Sequence, residues 1–373
     1  IDLSDQGHQP MTSSCGRFTI TYNGELYNTH ELASDLVRRG RRFRGHSDTE
    51  VLLEGCAEYG IENFVKSVNG IFAFALYDSA SRTLWLCRDR MGVKPLYYGK
   101  IANRLIFGSE LKALARHPVF SRKIDRNAVA AFLQNNYVPG NCCIYEGVDK
   151  VPPATILRFD ANAQQYAIRY WSLTEAVRNG IAEPISRPDA AQGALKSLLQ
   201  DSVKRQMVSD VPLGGLLSGG IDSSLVVAMM QRASSEPVET FTIGFSEREF
   251  DESAHAATIA RHLGTSHHEI HLSPEDAMGI IPDLPGIYDE PFADSSQIPT
   301  CLLSRIVRRN VTVALSGDGG DELFAGYRRY GQIQKLARIL DTLPSSLTRS
   351  LCRAALLMPK TWWQRASGWI PLV

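Results

Sequence analysis

The stretch Leu216-Leu217-Ser218-Gly219-Gly220-Ile221-Asp222-Ser223-Ser224 decides how this chain is read. It follows an apolar run and opens a helix-like one, so a strand passes through Ser-Gly-Gly into a helix that begins with Asp and Ser. Backbone N–H groups at such a helix start form an anion pocket, which here should hold a pyrophosphate. The Walker A pattern of Gly, four residues, Gly, Lys and then Ser or Thr is not met, because the Lys is missing. Amides, hydroxyls and a metal must then meet the phosphates. Asp222 is the first candidate to hold Mg²⁺, which in nucleotide sites takes one or two carboxylates together with phosphate oxygens.

A second run, Leu315-Ser316-Gly317-Asp318-Gly319-Gly320-Asp321-Glu322-Leu323-Phe324, again ends a strand with Gly-rich turns and starts a helix. Its clustered carboxylates repel one another unless a cation neutralises them. Asp222 and Asp321 would thus grip one metal from two strand ends. Taken alone, the second run reads equally as a solvated helix start, where the dipole favours acidic residues. In Thr240-Phe241-Thr242-Ile243-Gly244-Phe245 a β-branched residue before Gly offers a surface on which an adenine could stack. Glu290-Pro291-Phe292-Ala293-Asp294-Ser295-Ser296 reads either as part of an acceptor pocket or as a plain helix cap.

Regular alternation surrounds these runs. An amphipathic helix over 189–208 leads to a strand at 211–217, and the pattern then predicts helix 222–232, strand 239–245, helix 252–263, strand 268–272, helix 298–309 and strand 311–315. Such alternation implies a parallel sheet with right-handed crossovers, whose ligands bind beyond the carboxyl ends of the strands. Residues 17–160 read instead as mostly β, with strands at 17–23, 70–78, 84–87, 96–98 and 105–107 and helices at 29–39 and 49–59. Short strands with helices packed outside predict an α+β sandwich. Tyr22-Asn23-Gly24-Glu25-Leu26-Tyr27-Asn28 reads as a tight turn between strands, since Asn-Gly is the strongest short hairpin signal. Glu25 and the run Gly45-His46-Ser47-Asp48-Thr49-Glu50 add polar groups that a hairpin does not need. The chain thus divides into 1–160, a connector over 161–188 that includes Gly180, Pro184 and Pro188, and 189–373. The strand-like 166–171 fits either half.

With 373 residues the chain exceeds one ordinary core, and 44% hydrophobic content is that of a folded globular protein. Lys and Arg, 40 together, balance 40 Asp and Glu, so charge favours neither nucleic acid nor an anionic membrane as partner. No apolar run approaches the ~20 residues of a membrane span, and Ile1-Asp2-Leu3-Ser4-Asp5 is no secretory leader. Seven cysteines without a CxxC pair indicate neither a disulfide framework nor a zinc site. His267, His268 and His271 alternate like a strand surface. Together these features predict a cytoplasmic protein with reduced thiols. The chain opens on Ile and ends at Val373 after a Trp-rich stretch, so both ends read as cuts through a longer protein.

Ser-Gly-Gly-Ile-Asp-Ser-Ser resembles the signature of PP-loop ATP pyrophosphatases, which split ATP between its α and β phosphates. The first half adds Asp2-Leu3-Ser4, Gly7-His8-Gln9-Pro10-Met11, Tyr22-Asn23-Gly24-Glu25, Ser47-Asp48-Thr49-Glu50 and Asn69-Gly70 with Phe72-Ala73-Phe74. Arg88-Asp89-Arg90, Gly92-Val93-Lys94-Pro95-Leu96-Tyr97-Tyr98 and Phe107-Gly108-Ser109-Glu110 follow. In combination and in this order, the chain resembles the glutamine-hydrolysing asparagine synthetases over nearly its whole length.

The resemblance implies an N-terminal nucleophile hydrolase-like α+β sandwich, the class II glutamine amidotransferase domain. An α/β parallel-sheet PP-loop domain with helices on both faces would follow. In this family an N-terminal Cys attacks glutamine with its own α-amine as base. Asn23 and Gly24 then match the oxyanion donors, and Glu25 and Asp48 match the residues that hold the glutamine amino group. Leu217, Ile243 and Gly317 match backbone positions around adenine. Ser218, Gly219, Gly220, Ser223 and Ser224 would cradle pyrophosphate, with Ser316 in the same ATP site. Asp222 and Asp321 would hold Mg²⁺, and Asp318 stands where some members carry Glu. The implied reaction turns aspartate, ATP and glutamine-derived ammonia into asparagine through β-aspartyl-AMP, releasing AMP and pyrophosphate, and the family commonly forms homodimers. The family's Cys and an Arg for the glutamine carboxylate would precede Ile1, and an adenylation Lys would follow residue 373. Cys15 has no free α-amine, so this stretch alone is expected not to hydrolyse glutamine. The alternatives are a related amidotransferase acting on a sugar acid or a β-lactam precursor, and a non-catalytic homologue.

Overall fold

The computed structural model describes residues 4–102, 104–245 and 251–358. Asp2 and Leu3 of the first motif and the Trp-rich end lie outside these residues. The first half builds β1 (Met11–Thr12), β2 (Phe18–Leu26), α1 (Thr29–Arg38), α2 (Asp48–Tyr59), α3 (Ile61–Ser67), β3 (Gly70–Asp78) and β4 (Thr83–Arg88). It continues with β5 (Tyr97–Ile101), β6 (Arg104–Gly108), α4 (Leu111–Leu114), α5 (Arg126–Asn135), β7 (Val148–Lys150), β8 (Thr155–Phe159) and β9 (Gln165–Arg169). Six strands form one antiparallel sheet in the order β1-β2-β3-β4-β8-β9, and β6-β5-β7 form another.

Alternation along β3 shows how these layers stack. Phe72, Phe74 and Leu76 face a core shared with Leu36 of α1, Leu52 of α2 and Val65 of α3. Ala73 and Ala75 face the other way, packing with Leu86 and Leu157 and with Tyr98, Leu105 and Phe107 of the small sheet. Tyr97, one residue before Tyr98 on β5, turns outward into a third cluster with Leu111 of α4 and Ala128 of α5. A strand exposes its side chains to two faces in turn, so the result is helix, sheet, sheet, helix. This is the expected α+β sandwich. Helix α2 is buried continuously from Thr49 to Cys56, as a helix lying under a sheet must be.

The second half adds α6 (Leu173–Ala182), α7 (Pro188–Gln206), β10 (Leu213–Leu216), α8 (Ile221–Ala233), β11 (Glu239–Phe245), α9 (Ser253–Leu263), β12 (Ser266–Leu272), α10 (Pro274–Ile280), α11 (Leu284–Ile287), α12 (Gln297–Val307), β13 (Val313–Leu315), α13 (Gly320–Phe324), α14 (Arg328–Asp341) and α15 (Ser345–Leu357). Its four strands are parallel in the order β12-β11-β10-β13. Helices α7 and α8 cover one face through Val203, Met229 and Met230. Helix α12 covers the other, where Leu303 and Val307 meet Phe241. Strand order reverses between β10 and β13, and that is where an open parallel sheet leaves a crevice for ligands.

One local expectation is corrected. Asn23 and Gly24 do not form a hairpin turn. They lie inside β2, opposite Ala73 and Phe72 of β3, and the Gly is needed because a Cβ there would stand 2.7 Å from Phe72 Cα. The stretch 161–188, read as a connector, contains β9, which pairs with β8 at the edge of the first sheet, and α6.

Candidate functional site

The loop after β10 is held by its own serines. Ser218 Oγ lies 2.9 Å from Ser223 Oγ, Gly220 N–H donates to Ser218 Oγ at 3.3 Å, and Ser224 Oγ–H donates to Gly220 O at 2.6 Å. These bonds fold the loop over the first turn of α8. The loop after β13 packs directly on it. A Cβ on Gly317 would lie 2.6 Å from Ser223 N, and one on Gly320 would lie 2.5 Å from Asp222 Oδ2. The two Gly-rich runs, distant in sequence, therefore share one crevice at the reversal of strand order.

Beside it an apolar cleft of about 230 Å³ is lined by Leu217, Ser218, Phe241, Ile243 and Glu252, with Pro299 and Leu303 of α12 as its far wall. Leu217 and Ile243, two of the residues expected around adenine, both line it. Gly317 is placed instead against Ser223 and Asp222. Glu252, at the mouth of the cleft, and His255, whose ring is next to Gly219, were not singled out from sequence. The rule that ligands sit beyond strand ends would have pointed to both, since they follow β11.

Ser316 Oγ–H donates to Asp318 at 2.9 Å, which ties that carboxylate back to the loop. Asp321 packs against Gly326, whose N–H donates to Asp321 O at 3.0 Å. Among the described residues no three His, Cys, Asp or Glu side chains gather as a metal cage. Asp222, whose carboxylate lies against Gly320, could still serve as one ligand to Mg²⁺, which takes most of its remaining ligands from phosphate and water.

A second site lies on β2. N–H groups alternate between the two edges of a strand. Tyr22 N–H donates to Gln9 Oε1 at 2.6 Å, and Leu26 N–H donates to Asp48 Oδ2 at 3.0 Å. Gly24 N–H, between them in the alternation, therefore points to the same edge, away from β3. Asn23 Nδ2–H donates to Ser109 Oγ at 3.2 Å. Asp48, at the start of α2, also accepts the Tyr22 hydroxyl at 2.8 Å. Burial first, and then the charge of Asp48, raise the Glu25 pKa. Two neighbouring carboxylates of this kind favour a cationic ligand.

The α2 start that carries Asp48 is fixed from both sides. Ser47 Oγ accepts Glu50 N–H at 3.2 Å, while the Glu50 carboxylate accepts the N–H groups of Arg44 and Gly45 at 3.0 and 2.9 Å. Arg88-Asp89 is a frame rather than a ligand set. Asp89 is buried and accepts N–H groups from Phe72, Met91, Val93 and Lys94. Arg88 donates to the carbonyls of Gly92, Lys94 and Val151.

The sandwich thus carries a polar strand-edge site, and the parallel-sheet domain that follows it carries a Gly-rich loop at the reversal of strand order. Residues 1–171 match the model of the glutamine amidotransferase domain, and residues 194–370 match that of asparagine synthase. A putative glutamine-hydrolysing asparagine synthetase 2 of Methanocaldococcus jannaschii is 35% identical over 93% of this chain and 70% of its own length. Asparagine synthetase 3 of Bacillus subtilis is 36% identical over 88% of this chain and 55% of its own. Asparagine synthetase B of Escherichia coli is 32% identical over 86% and 54%. The chain belongs to the family of glutamine-hydrolysing asparagine synthetases, and it spans about half the length of the two bacterial relatives.

Proposed function

We propose that the protein makes asparagine from aspartate, ATP and glutamine-derived ammonia through β-aspartyl-AMP. The observation that carries this is the packing of Gly317 and Gly320 onto Ser223 and Asp222, beside the Leu217–Ile243 cleft. Adenine occupies that cleft, where Leu217 and Ile243 offer backbone groups around it, while Gly317 borders the phosphates beside Ser223. Ser218, Gly219, Gly220, Ser223, Ser224 and Ser316 surround the phosphates. Asp222 and Asp321 hold Mg²⁺, which when bound neutralises charge developing on the departing pyrophosphate. Asp318 is the catalytic carboxylate of the second loop, and the crevice keeps water from the adenylate.

In the first domain the Asn23 amide and Gly24 N–H stabilise the oxyanion formed at the glutamine amide, and Glu25 and Asp48 hold its ammonium. All seven cysteines are free thiols and, among the described residues, no helix is long and apolar enough to cross a membrane. Both support a cytoplasmic location. A homodimer is carried over from the family. The test is pyrophosphate release by the full-length protein with ATP and Mg²⁺ as the acceptor is varied. Release that rises with aspartate is the expected outcome, and release indifferent to aspartate overturns the proposal.

A further inference from the structure

Asp289 and Glu290, between α11 and α12, belong to the second half of the chain but bond to the first. Glu290 Oε1 accepts Ile144 N–H at 2.8 Å, and its Oε2 lies 2.6 Å from Lys150 Nζ and 3.5 Å from the Tyr97 hydroxyl. Asp289 Oδ2 accepts Leu111 N–H at 2.7 Å. Ala293 N–H donates to Asn136 O at 2.8 Å. The Glu290 and Lys150 side chains are only 11% and 14% exposed. Charges so far out of water persist where each has a partner, and loss of one partner leaves the other stranded.

The same segment runs straight into α12 and is tied to it without slack. The Tyr288 hydroxyl donates to Gln297 O at 3.4 Å and accepts from Cys301 Sγ at 3.3 Å. Gln297 Nε2–H donates to Phe292 O at 3.0 Å, and Asp294 Oδ1 accepts Ser296 N–H at 2.8 Å. Pro299 and Leu303 of this helix line the cleft together with Leu217 and Ile243. The first domain therefore holds, through Asp289 and Glu290, the segment that leads into a helix lining the cleft.

We propose that Glu290 is a positioning residue for the nucleotide, acting through α12, so that the first domain sets the affinity of the second for ATP. The inference rests on the cleft being the nucleotide site. Without the Lys150 contact the 289–296 segment loses its charged anchor and leaves Glu290 stranded, α12 shifts at Pro299 and Leu303, and nucleotide binding weakens. By linkage, whatever shifts Lys150 and Ile144 in the first domain alters that binding by the same route.

The experiment titrates the full chain with trinitrophenyl-ATP and Mg²⁺, with thermal melts in parallel. Glu290→Gln keeps the shape and the Ile144 bond, and Lys150→Met keeps the stem. Each is expected to weaken binding roughly tenfold, and the double variant is expected to be no weaker than the worse single one. Arg205 of α7, which pairs with Glu31 of α1 in another contact between the two halves, serves as control, and Arg205→Ala should bind as the wild type does. Unchanged affinity in Glu290→Gln and Lys150→Met overturns the inference, as does equal weakening in Arg205→Ala. Failure of the wild-type chain to bind the analogue overturns the nucleotide site itself, a distinct result.

Discussion

Gly317, after β13, lies against the first turn of α8 so closely that a Cβ would stand 2.6 Å from Ser223 N and 2.9 Å from the Asp222 carbonyl carbon. Both neighbours are backbone, so no rotamer change makes room. Gly317→Ala should cost about 1–3 kcal/mol of overpacking, relieved only by parting the β13 loop from α8. A shift of that size at a reacting site costs about 100-fold in rate. Pyrophosphate release should fall accordingly while the melting temperature drops by a few degrees. A variant as active as the wild type would separate the two runs functionally.

Asp222→Asn keeps the side chain's shape against Gly320 and removes its charge. If Asp222 holds Mg²⁺, the variant should need more of the ion and release pyrophosphate roughly 100-fold more slowly, the scale on which metal neutralisation works. The Mg²⁺ titration of the two proteins decides this. Superimposable curves would remove Asp222 from the metal.

Glu25 predicts a pH dependence with a definite sign. Burial, and then the charge of Asp48, raise its pKa in the folded protein. The unfolded chain therefore loses its proton first, near pH 4, and from there the folded state loses stability as pH rises towards the raised folded value. Glu25→Gln does not titrate. It should melt higher than wild type at pH 7 and at a similar temperature near pH 4, while glutamine binding is lost. A stability difference that does not change with pH would count against this account of the carboxylate.

At Gly24 the neighbours are the carbonyl of Ile71 and the Cα of Phe72 on the adjacent strand. Gly24→Ala should destabilise the first sheet by about 3 kcal/mol, at the upper end of overpacking costs, visible as a lower urea midpoint. Stability within a few tenths of wild type would mean that the strands part easily at this place.

Much of this was legible in the chain. Strand 239–245 and helix 29–38 follow from side-chain period alone, and Ser218, Ser223 and Asp222 were found together because one loop contains them. What escaped depended on partners far away in sequence. Asn23-Gly24 has the composition of a turn, yet the approach of β3 keeps it extended. Glu290 reads in sequence as part of an acceptor pocket or of a helix cap, and its bonds to Ile144 and Lys150 carry no local signal.

The sequence by itself determined the strand–helix alternation over 211–315, the mostly β character of the first half and the phosphate-type loop, because periodicity and contiguous motifs are local properties. Tertiary structure alone decided that β13 lies beside β10, bringing Gly317 and Gly320 onto Asp222, and that α12 walls the cleft while its leading segment is held by the other half of the chain. Those contacts join residues whose spacing carries no period, so only the packing of one side chain or backbone against another specifies them.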